Sequence, residues 1–185
     1  MTFLDIFSGI GGFRRGFEMA GHTCIGHIEI DKHADRSYRA IHDVKKEEFY
    51  SEDITLLKSN DIPRCDIWCF GFPCQDISIA GGRAGMGGGR SGLYFTVVEL
   101  LKGKPPETRP RWLVAENVKH LLSINNGWDF FAVLSAMAEA GYVVEWAIYN
   151  TDFSRLQRSN ENLITLITCV AGKPNLRVCV QAREK

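Results

Sequence analysis

The sequence carries no net charge, since 22 lysines and arginines balance 22 aspartates and glutamates. A global basic face for nucleic acid is therefore not announced, and a polyanionic partner would have to be met by a local patch. No uninterrupted apolar run reaches membrane-spanning length, so no spanning helix and no membrane partner are expected. The opening MTFLDIFSGIGG has an acid early and no basic flank before its apolar run, so a secretory leader is not expected either. Zinc-type cysteine pairs are missing as well. The six cysteines, at 24, 65, 69, 74, 169 and 179, include no CxxC pair, and no histidine lies near the 65–74 group. They read as reduced thiols of the cytoplasm, with no metal site. No internal repeat and no linker breaks the 185 residues, a length suited to one domain with a real core.

The pattern of what is present alternates strand and helix. Thr2–Phe7 reads as a buried strand, Ser8-Gly9-Ile10-Gly11-Gly12 as a tight turn, and Phe13–Ala20 as a helix closed by Gly21. Such a strand, glycine turn and helix let backbone N–H groups approach a ligand closely. A dinucleotide fingerprint would want a third glycine at position 14, which is arginine; an adenosine ligand without phosphates fits better than a pyrophosphate cofactor. Cys24–Ile30 reads as the second strand, with Glu29 at its tip about 20 residues past the turn, where an acid can accept from ribose hydroxyls. Asp31 is expected to cap a helix over Lys32–His42. Asp53 falls where a third strand should end, either bonding the exocyclic amine of an adenine or capping a helix.

The apolar run Ile67-Trp68-Cys69-Phe70 reads as another buried strand, broken at Gly71 and stiffened at Pro73 just before Cys74. A thiol there would sit at the carboxyl end of a parallel strand, where open α/β sheets bind ligands, and as thiolate it would be a nucleophile. Read alone, it could equally be a small buried hydrophobe. Ile79–Gly92 holds seven glycines together with Arg83 and Arg90; it reads as a loop whose arginines could reach phosphates, with plain disorder the rival. Leu93–Lys102 reads as a helix, and Trp112–Ala115 as a strand ending on Glu116-Asn117-Val118, a carboxyl at the cysteine's end of the sheet and a candidate proton donor. Trp128–Ala140 reads as a helix and Tyr142–Tyr149 as a strand. The fold class expected is α/β, a doubly wound and mostly parallel sheet with helices on both faces.

On these residues the chain resembles the cytosine-C5 DNA methyltransferase family, which uses S-adenosylmethionine and releases S-adenosylhomocysteine. The resemblance rests on Phe7-Ser8-Gly9-Ile10-Gly11-Gly12-Phe13, Glu29, Asp53, Gly71-Phe72-Pro73-Cys74-Gln75 and Glu116-Asn117-Val118, in the family's order and spacing. It implies an S-adenosylmethionine-dependent methyltransferase (Rossmann-like) fold, with Cys74 as nucleophile and Glu116 as its acidic partner. It implies cofactor contacts from Phe7, Ser8, Gly9, Ile10, Gly12, Glu29, Ile30, Asp53, Ile54, Gly71, Pro73 and Leu93. Substrate contacts would come from Phe72, Gln75, Ser78, Arg83, Arg90, Asn117 and Val118. The partner implied is double-stranded DNA with a flipped cytosine, in a prokaryotic or phage-like cytoplasm.

Two departures stand out. Ile30 replaces the tryptophan usual after the ribose acid, and Gln157-Arg158-Ser159-Asn160-Glu161 lacks the family's two arginines at 159 and 161. Residues 1–150 therefore read as the catalytic and cofactor domain. Residues 151–185 read as a divergent tail without a target-recognition domain, with two improvised strands over Leu163–Lys185. A second chain becomes the candidate source of target recognition. A non-catalytic remnant that binds the cofactor, and an RNA cytosine methyltransferase, are the other readings.

Overall fold

The structure, a computed structural model, describes residues 1–73, 92–150 and 176–184. Its organisation begins with the period-two alternation of the first strand, β1 (Thr2–Ile6). Phe3 and Asp5 face one side of the sheet and Leu4 and Ile6 the other, all of them fully buried. Only a strand covered on both faces reads this way. The elements that follow are α1 (Gly12–Met19), β2 (Thr23–Ile28), α2 (Lys32–Ile41), β3 (Phe49–Ser51), β4 (Ile67–Gly71), α3 (Leu93–Lys102), β5 (Trp112–Val118), α4 (Trp128–Glu139), β6 (Tyr142–Asn150) and β7 (Leu176–Glu184). Among the described residues, no helix is long and apolar enough to cross a membrane.

The strands form one sheet in the order β3-β2-β1-β4-β5-β7-β6. The first five are parallel, and β7 runs antiparallel to both β5 and β6. This is the doubly wound, mostly parallel architecture that the alternation predicts. The chain leaves β1 toward β2 and β3, then returns to place β4 on the other side of β1. The strand order therefore reverses between β1 and β4, and the crevice outside their carboxyl ends is where such sheets take ligands.

Each face has its own core. Phe3, Phe13, Phe17, Cys24, Ile67, Cys69 and Val114 pack on the α1 side, where the Phe3 and Phe17 rings stack at 5.0 Å. Leu4, Ile6, Trp68, Phe70, Leu113 and Ala115 face the larger core, shared with Tyr94, Val97 and Leu101 of α3 and Val133, Ala136 and Met137 of α4. A one-residue slip of β4 or β5 would exchange these sets, so the two cores hold the register.

Local signals explain most boundaries. Asp31 caps α2, its Oδ1 accepting from the backbone N–H groups of His33 and Ala34. Gly21, at φ 80°, closes α1 as His22 N–H donates to Phe17 O at 3.0 Å. Strand β5 runs to Val118, past the expected Ala115, because β7 pairs with it along its whole length. That part of the sequence after 150 is thus a sheet strand; the other expected tail strand falls within 151–175, outside the described residues.

Where a dinucleotide fingerprint would have its third glycine, Arg14 is buried. Its guanidinium pairs with Glu48 at 2.7 Å and Glu18 at 2.8 Å, donates to Asp43 O and lies over the Tyr38 ring. It braces the connection between α2 and β3. Nearby, Asp5 accepts from Arg14 N–H at 3.3 Å, and burial pushes its carboxyl well above the ordinary range. Because the folded value lies above the unfolded one, this carboxyl's contribution to stability is full below the unfolded carboxylate pKa and is lost as pH rises through the folded value. Asp5→Asn keeps an acceptor for Arg14 N–H and cannot ionise. Urea denaturation between about pH 4 and about pH 8 should therefore show the wild-type protein losing more stability than Asp5→Asn; parallel pH profiles would contradict the assignment.

Candidate active site

Two features meet at the crevice between β1 and β4. One is the turn after β1, where Phe7 (φ 56°), Gly9 (φ 54°) and Gly11 (φ 90°) are all left-handed. For Phe7 that conformation carries strain, of the kind that surrounding structure holds at ligand sites. Ser8 N–H donates to Ile28 O at 3.1 Å and Gly11 N–H to Ser8 O at 2.8 Å. Glu29 ties the turn to the next element. Its Oε2 accepts from Gly9 N–H at 2.7 Å and its Oε1 from Asp31 N–H at 2.8 Å. Each carboxylate oxygen keeps a second lone pair for a ligand donor. The Ser8 hydroxyl is buried and meets no hydrogen-bond partner, a state that costs about 1–3 kcal/mol until a ligand group or water satisfies it.

At and beside this turn, Ile10 and Ile30 are 61% and 66% exposed. Aliphatic side chains left in the open beside an acid and a glycine turn fit the flat apolar face and the hydroxyls of a nucleoside. Arg14, in the helix that follows the turn, is buried and committed to Glu48, while its neighbour Arg15 is exposed. The acid, the glycine turn and the aliphatic faces suit an adenosine-type ligand.

The second feature is the pair of strand tips at β4 and β5. Gly71 lies opposite Glu116 in the parallel register, and a Cβ on Gly71 would stand 3.2 Å from Glu116 Oε2. Glycine here leaves room for a half-buried carboxyl. Asn117 is buried, its Nδ2 donating to Phe72 O at 2.8 Å and its Oδ1 accepting from Val118 N–H at 2.8 Å. It fastens the segment Gly71-Phe72-Pro73, which leads into position 74, to the strand that carries Glu116. The described residues stop at Pro73, so Cys74, Gln75, Ser78, Arg83 and Arg90 lie outside them, as does all of the Ile79–Gly92 loop except Gly92.

The other expected contacts divide. Phe7, Ser8, Gly9, Ile10, Gly12, Glu29, Ile30, Gly71 and Pro73 lie at or beside the carboxyl ends of β1, β2 and β4. Leu93 opens α3 and packs on the larger core. Asp53 caps the short turn Ile54–Leu56, its Oδ1 accepting from the N–H and hydroxyl of Thr55; those bonds hold its carboxyl below the usual range. Three of the expected residues have side chains engaged within the protein. The Ile54 side chain is 3% exposed and lies in the core. The Phe72 ring packs against Tyr94 at 4.9 Å, and the Asn117 amide is bonded within the protein at both ends. His42 and Asp5, which contact the turn and the helix after it, escape a sequence reading; only Asp5, an acid inside an apolar strand, leaves a visible signal. Among the described residues, no cluster of histidine, cysteine or acidic side chains is placed to hold a metal ion.

The same backbone arrangement occurs in solved methyltransferases. The fold matches that of the S. pombe Dnmt2 methyltransferase with a TM-score of 0.67 at 19% identity, over 100% of this chain and 51% of that one. It matches a putative DNA modification methyltransferase encoded within a prophage of E. coli at 0.63 and 20% identity, over 100% and 47%. The sheet thus has the fold of these methyltransferases. More particularly, the chain belongs to the C-5 cytosine-specific DNA methylase family, whose profile matches residues 1–155. The type II methyltransferase M.NgoBI of Neisseria gonorrhoeae is 40% identical over 84% of this chain and 47% of its own length. M.BsuFI of Bacillus subtilis is 36% identical over 89% and 38%. The chain spans less than half the length of each of these curated relatives.

The Asn117 contact yields a direct expectation. Asn117→Asp replaces the donor to Phe72 O with a buried carboxylate oxygen facing a carbonyl, and should lower stability by about 2–3 kcal/mol in urea denaturation. A loss below about 0.5 kcal/mol, the range of unremarkable surface changes, would show that the bond does not hold the segment.

Proposed function

We propose that this chain is the catalytic part of an enzyme that methylates carbon 5 of a flipped-out cytosine in DNA through a covalent adduct to Cys74. The observation that carries the reading is the convergence of Gly71-Phe72-Pro73 with Glu116 at the strand tips, beside the glycine turn held by Glu29. The names of the type II relatives support DNA as the polymer, and their bacterial origin supports a cytoplasmic setting.

Cytosine carbon 5 is a weak nucleophile. In this reading the Cys74 thiolate adds to carbon 6 and turns the ring into an enamine, so that carbon 5 gains the electron density it lacks. Glu116, in its protonated form, donates a hydrogen bond to ring nitrogen 3, where negative charge develops. Carbon 5 would take the methyl group as its bond to sulfur breaks, leaving S-adenosylhomocysteine, and loss of the carbon-5 proton to a base would then restore the double bond and expel the thiolate. A stacked base cannot reach such a site, so the target is extruded from the duplex at a cost of a few kcal/mol. Glu29, the Ser8 hydroxyl, the backbone of the glycine turn and the aliphatic faces of Ile10 and Ile30 would hold S-adenosylmethionine, which supplies an electrophilic methyl group when bound. Recognition of a base sequence, and the arginine contacts that Ser159 and Glu161 do not offer, would come from outside this catalytic part.

The test is covalent trapping on DNA containing 5-fluorocytosine, in which the fluorine at carbon 5 blocks the final elimination. With S-adenosylmethionine present, a denaturation-resistant adduct should form with the wild-type chain and disappear in Cys74→Ser. An adduct that persists in Cys74→Ser would refute the nucleophile, and trapping on RNA alone would reassign the substrate.

A further inference from the structure

The cofactor turn is gripped from beneath by a residue outside every motif discussed above. His42 is the C-cap of α2, some thirty positions from the glycine turn, and is 8% exposed. Its Nε2 lies 3.1 Å from Ile10 O. A carbonyl oxygen only accepts, so Nε2 carries the proton and donates. The ring packs so closely beneath Gly11 that a Cβ added there would overlap both His42 and Tyr38. Gly11 is thus glycine for two reasons: its φ of 90° and this contact.

His42 is itself held in place. Its backbone N–H donates to Tyr38 O at 2.9 Å, and its ring is tilted against the Tyr38 ring with centroids 4.9 Å apart. Tyr38 is fully buried, stacked on His27 at 4.1 Å and covered by the Arg14 guanidinium. Helix α2 therefore meets the turn at both ends. At its start, Glu29 joins Asp31 N–H to Gly9 N–H; at its end, His42 joins the helix to Ile10 O.

We propose that His42 is a positioning residue of the cofactor site: it holds the left-handed shape of the glycine turn, and so the N–H groups and the Ile10 side chain, in the form that accepts the adenosine part of the ligand. The proposal rests on the cofactor reading given above. A turn released at Ile10 would have to be ordered again on binding, which weakens affinity without touching any ligand-contacting atom.

The experiment compares wild type, His42→Ala and His42→Gln by calorimetry with S-adenosylhomocysteine and by amide hydrogen exchange of the ligand-free chain. Thermal unfolding serves as the control. His42→Ala should bind about tenfold more weakly and exchange the Gly11 amide faster, whereas His42→Gln, which keeps a donor at similar reach, should recover most of both. Slowly exchanging amides of β1 and β4 should stay unchanged, which a general loss of folding would not allow. Wild-type affinity and exchange in His42→Ala would overturn the proposal. Faster Gly11 exchange in a chain whose wild type gives no heat with the ligand would instead refute the cofactor reading, and the role in ligand binding with it.

Discussion

The parallel pairing of β4 with β5 is the constraint on which the site depends. It sets Gly71 beside Glu116, and it brings Asn117 within reach of Phe72 O. The proposed chemistry needs that placement, because the Glu116 carboxyl and the segment leading to position 74 come together only if two strands with 40 residues between them agree in register. The register is enforced by the two cores. Ile67, Cys69 and Val114 must face α1, while Trp68, Phe70, Leu113 and Ala115 must face α3 and α4. A slip of one residue would turn Glu116 to the wrong face and force Trp68, now fully buried in the larger core, into the α1-side core.

Beneath the glycine turn the chain spends its buried polar groups on rigidity. Arg14 with Glu48, Tyr38 with His27, and Asp5 with the first turn of α1 form one connected region. Buried groups such as the Arg14–Glu48 ion pair add little net stability over apolar residues of the same volume. What they contribute is geometry: α1, α2 and the connection to β3 cannot shift independently of the turn they support. A turn that offers its own backbone N–H groups gains from such bracing, since no side-chain rotamer can correct a misplaced loop.

Much of this was legible in the sequence where local chemistry decides. The helix Leu93–Lys102 coincides with its expected bounds. Glycines at 9 and 11 read as a turn because left-handed backbone is needed there, and Asp31 read as a cap because a short acid preceded a helical stretch. Long-range pairing was not legible. The extension of β5 through Glu116 and Asn117 depends on β7, whose partner strands lie far away in sequence. Nor does motif membership show what the folded side chains contact: in the two signature stretches the Phe72 ring packs on Tyr94 and the Asn117 amide fastens Phe72 O. His42 is the converse, a lone histidine at a helix end that acquires a role only through the folded contact with Ile10.

A crystal structure of the chain with S-adenosylhomocysteine tests the central claim most directly. The account predicts adenosine on the turn of Phe7–Gly12 with its ribose on Glu29, and the Cys74 thiol facing the Glu116 carboxyl across one cavity wide enough for a pyrimidine. A thiol on the far side of the sheet from Glu116, or a gap filled by packed hydrophobic side chains, would contradict it.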